Sequence, residues 1–164
     1  MTTTITEKDI IITRVFDAPR GRVWEAWTKP DHFKRWWGPK GFRSPSCAID
    51  LRVGGKYLNC MRGAGPDGVV RDYWTTGVYR EIVPMERIVC TDSFADEKGN
   101  VVPASDYNMP GDWPLELLVT VTFEERDGRT EMTLRHAGIP EGHMKDECET
   151  GWNESFDKLA ESLK

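Results

Sequence analysis

The sequence predicts an α+β domain: a curved antiparallel sheet of seven strands, two short helices, and one long C-terminal helix packed across the sheet. Three observations carry this. Runs rich in β-branched residues follow one another with short Gly- or Pro-containing turns between them, so neighbouring strands must run antiparallel. Segment 141–164 has helical period instead, with Met144, Cys148, Trp152, Phe156, Leu159 and Leu163 on one stripe. A sheet of this width twists and curls, and the last helix is the long apolar element available to cover it.

The elements follow in order. Residues 9–17 are β-branched and read as a strand. Pro19 opens a helix that carries Val23, Trp24 and Trp27 on one side. Pro30 interrupts it and starts a second short helix through Trp37, which Gly38-Pro39 stops. Strand runs follow at 45–53, 56–62, 69–83 and 86–95, separated by Gly54-Gly55, Pro66-Asp67-Gly68 and Pro84-Met85-Glu86. Segment 96–114 is polar and rich in Gly, Pro, Asp and Asn; a binding lid and a solvated insertion fit it equally. A final hairpin spans 115–125 and 129–137 around Asp127-Gly128. Its alternation places Leu117, Val119, Val121 and Phe123 on one face, matched by Met132, Leu134 and His136 on the partner strand. At 1.5 Å per residue the last helix is about 33 Å long, enough to cross a small sheet. A straight helix cannot lie flush on a curved sheet, so a gap is expected beneath it, filled or lined by aromatic and Met side chains.

Composition narrows the function classes. One domain, 1–164, accommodates the 164 residues and can bury a core without staples. The net charge of −5 and the lack of a Lys/Arg block disfavour nucleic acid and anionic membrane surfaces. No apolar stretch is long enough to span a membrane, and Met1-Thr2-Thr3-Thr4-Ile5 lacks the pattern of a signal peptide, which points to the cytoplasm. Cys47, Cys60, Cys90 and Cys148 are widely spaced with no CxxC and read as free thiols. No cofactor motif stands out. No metal site is expected, because His143 and Cys148 miss the i, i+4 spacing of a helical ligand pair and lack a third ligand.

Seven short motifs occur in a familiar order: Phe16-Asp17-Ala18-Pro19, Val23-Trp24-Glu25-Ala26-Trp27-Thr28-Lys29-Pro30, Arg35-Trp36-Trp37-Gly38-Pro39, Asp50-Leu51-Arg52-Val53-Gly54-Gly55, Gly77-Val78-Tyr79-Arg80-Glu81-Ile82-Val83-Pro84, Thr130-Glu131-Met132-Thr133-Leu134, and Gly151-Trp152. Together they cover nearly the whole chain. They resemble the homologues of the activator of heat-shock protein 90 ATPase, in the bacterial stand-alone form, within the START-like (SRPBCC) superfamily. The resemblance implies a helix-grip fold with a cavity between sheet and C-terminal helix. Superfamily members bind apolar small molecules there, and some are cyclases or hydrolases. The eukaryotic activators carry a further chaperone-binding domain at their N-terminus. This chain starts directly in its first strand, so chaperone binding is not the expectation.

The candidate residues follow from that picture. Adjacent indoles on a helix point about 100° apart, so one face cannot bury both Trp36 and Trp37. One is expected to plug the end of the sheet and the other to rim the pocket. Both faces of 57–61 and 73–79 carry bulk, and periodicity does not choose between them; Met61 and Trp74 are taken as inner. Asp50 and Arg52, beside Gly54-Gly55, are expected to serve the turn. His136, the ionisable group in phase with an apolar face, is the candidate acid or base should the protein be an enzyme. The function expected is binding of an apolar, aromatic or polycyclic molecule, by a monomer or homodimer. Trp36, Trp37, Met61, Trp74, Phe94, Phe123, Leu134, His136, Trp152 and Phe156 would form walls or polar contacts. The alternatives are a cyclase- or hydrolase-type enzyme using His136, or a chaperone-interacting module.

Overall fold

The computed structural model describes residues 9–65, 67–109 and 111–164. Pro66 of the expected turn and the Met1–Ile5 start lie outside them. Among the described residues the order is β1 (Ile10–Phe16), α1 (Arg20–Thr28), α2 (Pro30–Phe33), β2 (Arg43–Ile49), β3 (Lys56–Ala64), β4 (Val70–Val83), β5 (Arg87–Ala95), β6 (Leu117–Arg126), β7 (Arg129–Ala137) and α3 (His143–Ser162). The strands form one seven-stranded sheet in the order β1-β7-β6-β5-β4-β3-β2, and every neighbouring pair is antiparallel. This is the helix-grip-like α+β architecture.

Most element ends shift by one or two residues, and three details matter for the site. Regular helix in α2 stops at Phe33, and the chain continues in tight turns in which the Trp36 and Trp37 amides both donate to the Phe33 carbonyl. Strand β2 ends at Ile49, because Asp50–Gly55 form the turn; Arg52 Nε reaches Asp50 Oδ2 at 2.9 Å there, and both residues are exposed. Segment 96–114 contains a 3-10 turn at Ala104–Tyr107.

The inner face is built by strict alternation. Ile12, Leu134, Val121 and Ile88 fall in one row across β1, β7, β6 and β5. Next to it lies the row Ile10, His136, Val119, Cys90 and Tyr79. Phe156 and Leu159 of α3 are fully buried, and Trp152 nearly so, as the helix lies over these rows. Arg14 pins the helix from β1, with a 2.8 Å ion pair to Asp157 and a bond to the Asn153 carbonyl. Lys158 pins the other side by donating to the Phe42 carbonyl at 3.0 Å. The first helix is locked by Thr130 Oγ1, which donates to the Ala18 carbonyl at 2.8 Å, and by Trp27 Nε1, which points at Met132 Sδ at 3.2 Å.

Gly77 on β4 is required by a close approach. A Cβ there would lie 1.9 Å from the Thr91 carbonyl oxygen and 2.5 Å from the Tyr57 ring. Its bareness lets β5 press in and lets the ring of Tyr57, its partner on β3, pass across β4. Gly77→Ala is expected to destabilise the domain by about 3 kcal/mol, the range of severe overpacking, read as a lower urea midpoint at unchanged m-value.

Candidate functional site

The gap under α3 is present and small. It is bounded above by Trp27, Phe33, Trp37 and Trp152 and below by Tyr57, Asn59, Tyr79, Ile88, Cys90, Asp92, Val119 and Val121, with Ile49 at the side. Its volume is about 40 Å³. A water needs about 10–15 Å³ on that measure, so the space holds a few waters, whereas ligand pockets commonly span about 300–1,000 Å³. A larger recess, about 460 Å³, lies outside, beside Arg35, Asp157, Lys158, Glu161 and Ser162. It is open and charged, and among the described residues none of the unpartnered buried polar atoms belongs to it.

Two neighbouring tryptophans play different parts. Trp36 has no exposed surface and donates from Nε1 to the Ala26 carbonyl at 2.9 Å, tying the turn after α2 to α1. Trp37 packs flat on Phe33 (4.9 Å) and edge-on to Trp152 (5.3 Å). Its Nε1 is buried without a partner. The Thr75 hydroxyl, paired with Asn59 on the same sheet face, is also buried without one. An unmet buried donor costs about 1–3 kcal/mol, so native proteins keep few of them without a purpose.

The floor carries a chain of polar contacts. Trp152 Nε1 donates to His136 Nδ1 at 3.0 Å. An indole nitrogen can only donate, so Nδ1 holds the lone pair and the proton sits on Nε2. That nitrogen faces Asp92 Oδ2 at 2.9 Å, off the line of a well-formed hydrogen bond. The Tyr57 hydroxyl donates to the Thr91 carbonyl at 2.8 Å and lies 3.4 Å from Asp92 Oδ1. Burial, then the charge of Asp92, pushes the Tyr57 hydroxyl well above its ordinary range. The same two causes raise the Cys90 thiol to about 12 and the Cys148 thiol to about 11. Burial raises Cys47 to about 12, and its Sγ donates to Asn59 Oδ1 at 3.2 Å. All four cysteines are free. No group of His, Cys, Asp or Glu able to hold a metal ion is present among the described residues.

Residues 17–164 match the family described as Activator of Hsp90 ATPase homolog 1-like protein. The chain belongs to this family. Solved structures share the fold of this Activator of Hsp90 ATPase homolog 1-like chain. A crystal structure of a Chromobacterium violaceum protein is 28% identical, covers 96% of this chain and 98% of its own, and superposes with a TM-score of 0.74. A solution structure from Arthrobacter aurescens is 27% identical over 95% of this chain and 86% of its own, TM-score 0.70. A Silicibacter pomeroyi protein described as AHSA1 is 22% identical over 94% of this chain and 96% of its own, TM-score 0.69, and shares the fold. A search of curated proteins returns no significant match.

Of the residues expected at the site, Trp37 and Trp152 line the gap. His136 sits behind Asp92 and Trp152 and touches both. Trp36, Phe123, Leu134 and Phe156 are fully buried packing residues. Met61 is on the inner face but lies farther along β3, beside Gly38. Phe94, also inner, packs against Tyr107 and Trp113 of segment 96–114 at 5.6 Å each. Trp74 corrects the expectation. It pairs with Cys60 and Ala95, so it shares their face of the sheet and not that of Tyr57 and Asn59. Side chains alternate along β3 and β4, and paired residues point the same way, so Met61 and Trp74 cannot both be inner. The sequence reading missed Tyr57, Asn59 and Asp92. The signal for Asp92 was present: it is an acid in phase with Ile88, Cys90 and Phe94, the same sign that singled out His136.

Two outcomes follow. Trp152→Phe leaves His136 Nδ1 buried and unmet, and should lower unfolding stability by about 1–3 kcal/mol in a denaturant titration. With their pKa values raised by burial, Cys90 and Cys148 stay thiols at pH 8. Disulfide exchange with a chromogenic reagent should therefore be slow in the native protein and fast in urea.

Proposed function

We propose that the chain binds a small apolar molecule between its sheet and its C-terminal helix. The observation that supports this most is the mismatch in the gap: largely apolar walls, rich in aromatic rings, enclose a space that the protein's own side chains leave open, while the indole N–H of Trp37 at its edge has no protein partner. Packing for stability alone would favour closing the space and pairing that donor. Its present size sets the terms of binding. A single ring enters only if the walls move, and Trp37, a partly exposed side chain held by ring contacts and no hydrogen bond, is the wall with least to lose.

The alternative of an enzyme that uses His136 has less to support it, because neither nitrogen opens onto the cavity. Nδ1 accepts from Trp152, and Nε2 is buried against Asp92 without a well-formed hydrogen bond. No second reading is favoured by a specific contact.

Burying about 150 Å² of a single aromatic ring gains roughly 4 kcal/mol, which corresponds to a dissociation constant on the order of 1 mM. Titration with benzyl alcohol should therefore change the tryptophan emission in that concentration range and raise the melting temperature. Unchanged emission and unchanged melting, with benzyl alcohol and with larger apolar probes alike, would refute binding at this site.

A further inference from the structure

We propose that the ligand of this cavity carries a positive charge: an aromatic or aliphatic ammonium that sets its cation on Asp92 and its apolar body against the surrounding rings. This deepens the binding reading above and rests on it.

The argument is one of charge balance. Asp92 lines the cavity, with its side chain 19% exposed. Among the described residues, the group in ion-pair range of it is His136. That imidazole is the natural candidate for a countercharge, and its Nδ1 is already taken up in accepting the Trp152 indole N–H. An imidazolium carries N–H on both nitrogens. At 3.0 Å from Trp152 Nε1, a proton on Nδ1 would set one N–H directly against another, in a side chain only 8% exposed. The indole thus selects the tautomer with Nε2–H towards Asp92, which offers a dipole and no net charge. The remaining neighbours are equally unable to help. Burial first, and then the negative charge of Asp92, weakens the acidity of Tyr57, Cys90 and Cys148, and all stay neutral around pH 7. A carboxylate in an apolar recess with neutral neighbours has an unmet demand for a cation.

The walls suit such a cation. Trp27, Phe33, Trp37, Tyr57, Tyr79 and Trp152 present ring faces or edges to the same small space. Ring faces attract an ammonium within about 6 Å, more strongly when water is excluded. An anionic ligand would meet Asp92 without a balancing charge, and a neutral one would leave the carboxylate as it stands.

The test compares benzylammonium, benzyl alcohol and benzoate, which share one ring and differ in charge. Binding to the wild-type protein is read by tryptophan emission and calorimetry at pH 7. Salt at about 0.15 M screens the chain's overall charge of −5. Benzylammonium should bind about tenfold tighter than benzyl alcohol, and benzoate weakest. In Asp92→Asn, checked for folding by circular dichroism, the ammonium should fall to within about threefold of the alcohol measured on the same variant. Equal affinities across the series in the wild type, a preference for benzoate, or an ammonium preference that survives in folded Asp92→Asn would overturn the inference while leaving apolar binding intact. Failure of all three probes would instead remove the binding reading, and the inference with it. If Asp92→Asn does not fold, the wild-type order decides.

Discussion

Trp27 is where the three helices and the sheet meet. Its indole lies edge-on to Trp36 at 4.8 Å, within 6.3 Å of Phe33, and within 6.2 Å of both Trp152 and Phe156, while its N–H points into the sheet at Met132. One ring therefore joins α1, the turn after α2, α3 and β7. Helix α3 makes few backbone contacts with the strands, so its seat depends on side chains of this size. The gap follows from the same constraint. Large flat rings prop the helix off a bent surface, and where they cannot interdigitate a small space is left.

That space is shaped by a second restriction, the missing side chain at Gly77. It lets the Tyr57 ring cross from β3 towards β5 and place its hydroxyl on the Thr91 carbonyl, next to Asp92. A hydrogen-bonded floor results from two strands that are not neighbours. Together with the Trp152–His136 contact, it surrounds one carboxylate with groups that are polar but uncharged. Electrostatics at this spot are set by which protons the neighbours cannot lose or gain, more than by any formal ion pair.

Much of the architecture was legible in the sequence, for identifiable reasons. The clean alternation of Leu117–Phe123 and Met132–His136 has one period and one buried face, and it reads directly as a hairpin under a cover. The stripe from Trp152 to Leu163 is equally plain. Strands β3 and β4 resisted, because both of their faces are covered. Cys60, on the face away from the cavity, has no exposed surface, and neither does Ala95 on the far side of Trp74. Periodicity loses its meaning where burial does not alternate, and so Trp74 could not be placed. The site was less readable than the fold. His136 stood out as an ionisable group in an apolar row, yet its role as neighbour to Asp92 depends on a diagonal contact across β6 that no local pattern encodes. The division of labour between Trp36 and Trp37 follows from the early end of α2, which turns one indole inward and leaves the other at the rim.

The strand order carries a consequence for how the chain reaches this state. The first strand pairs with the last, and Thr13 and Thr133, which share a hydrogen bond, are 120 residues apart. On a ribosome β1 waits, unpaired, until β7 has emerged, while the hairpins from β2 to β5 can assemble locally. Closing so long a loop is entropically late, and topologies dominated by such distant pairings fold slowly. Until β7 arrives, the exposed apolar edge of β1 is the part of the nascent chain most open to association with other molecules.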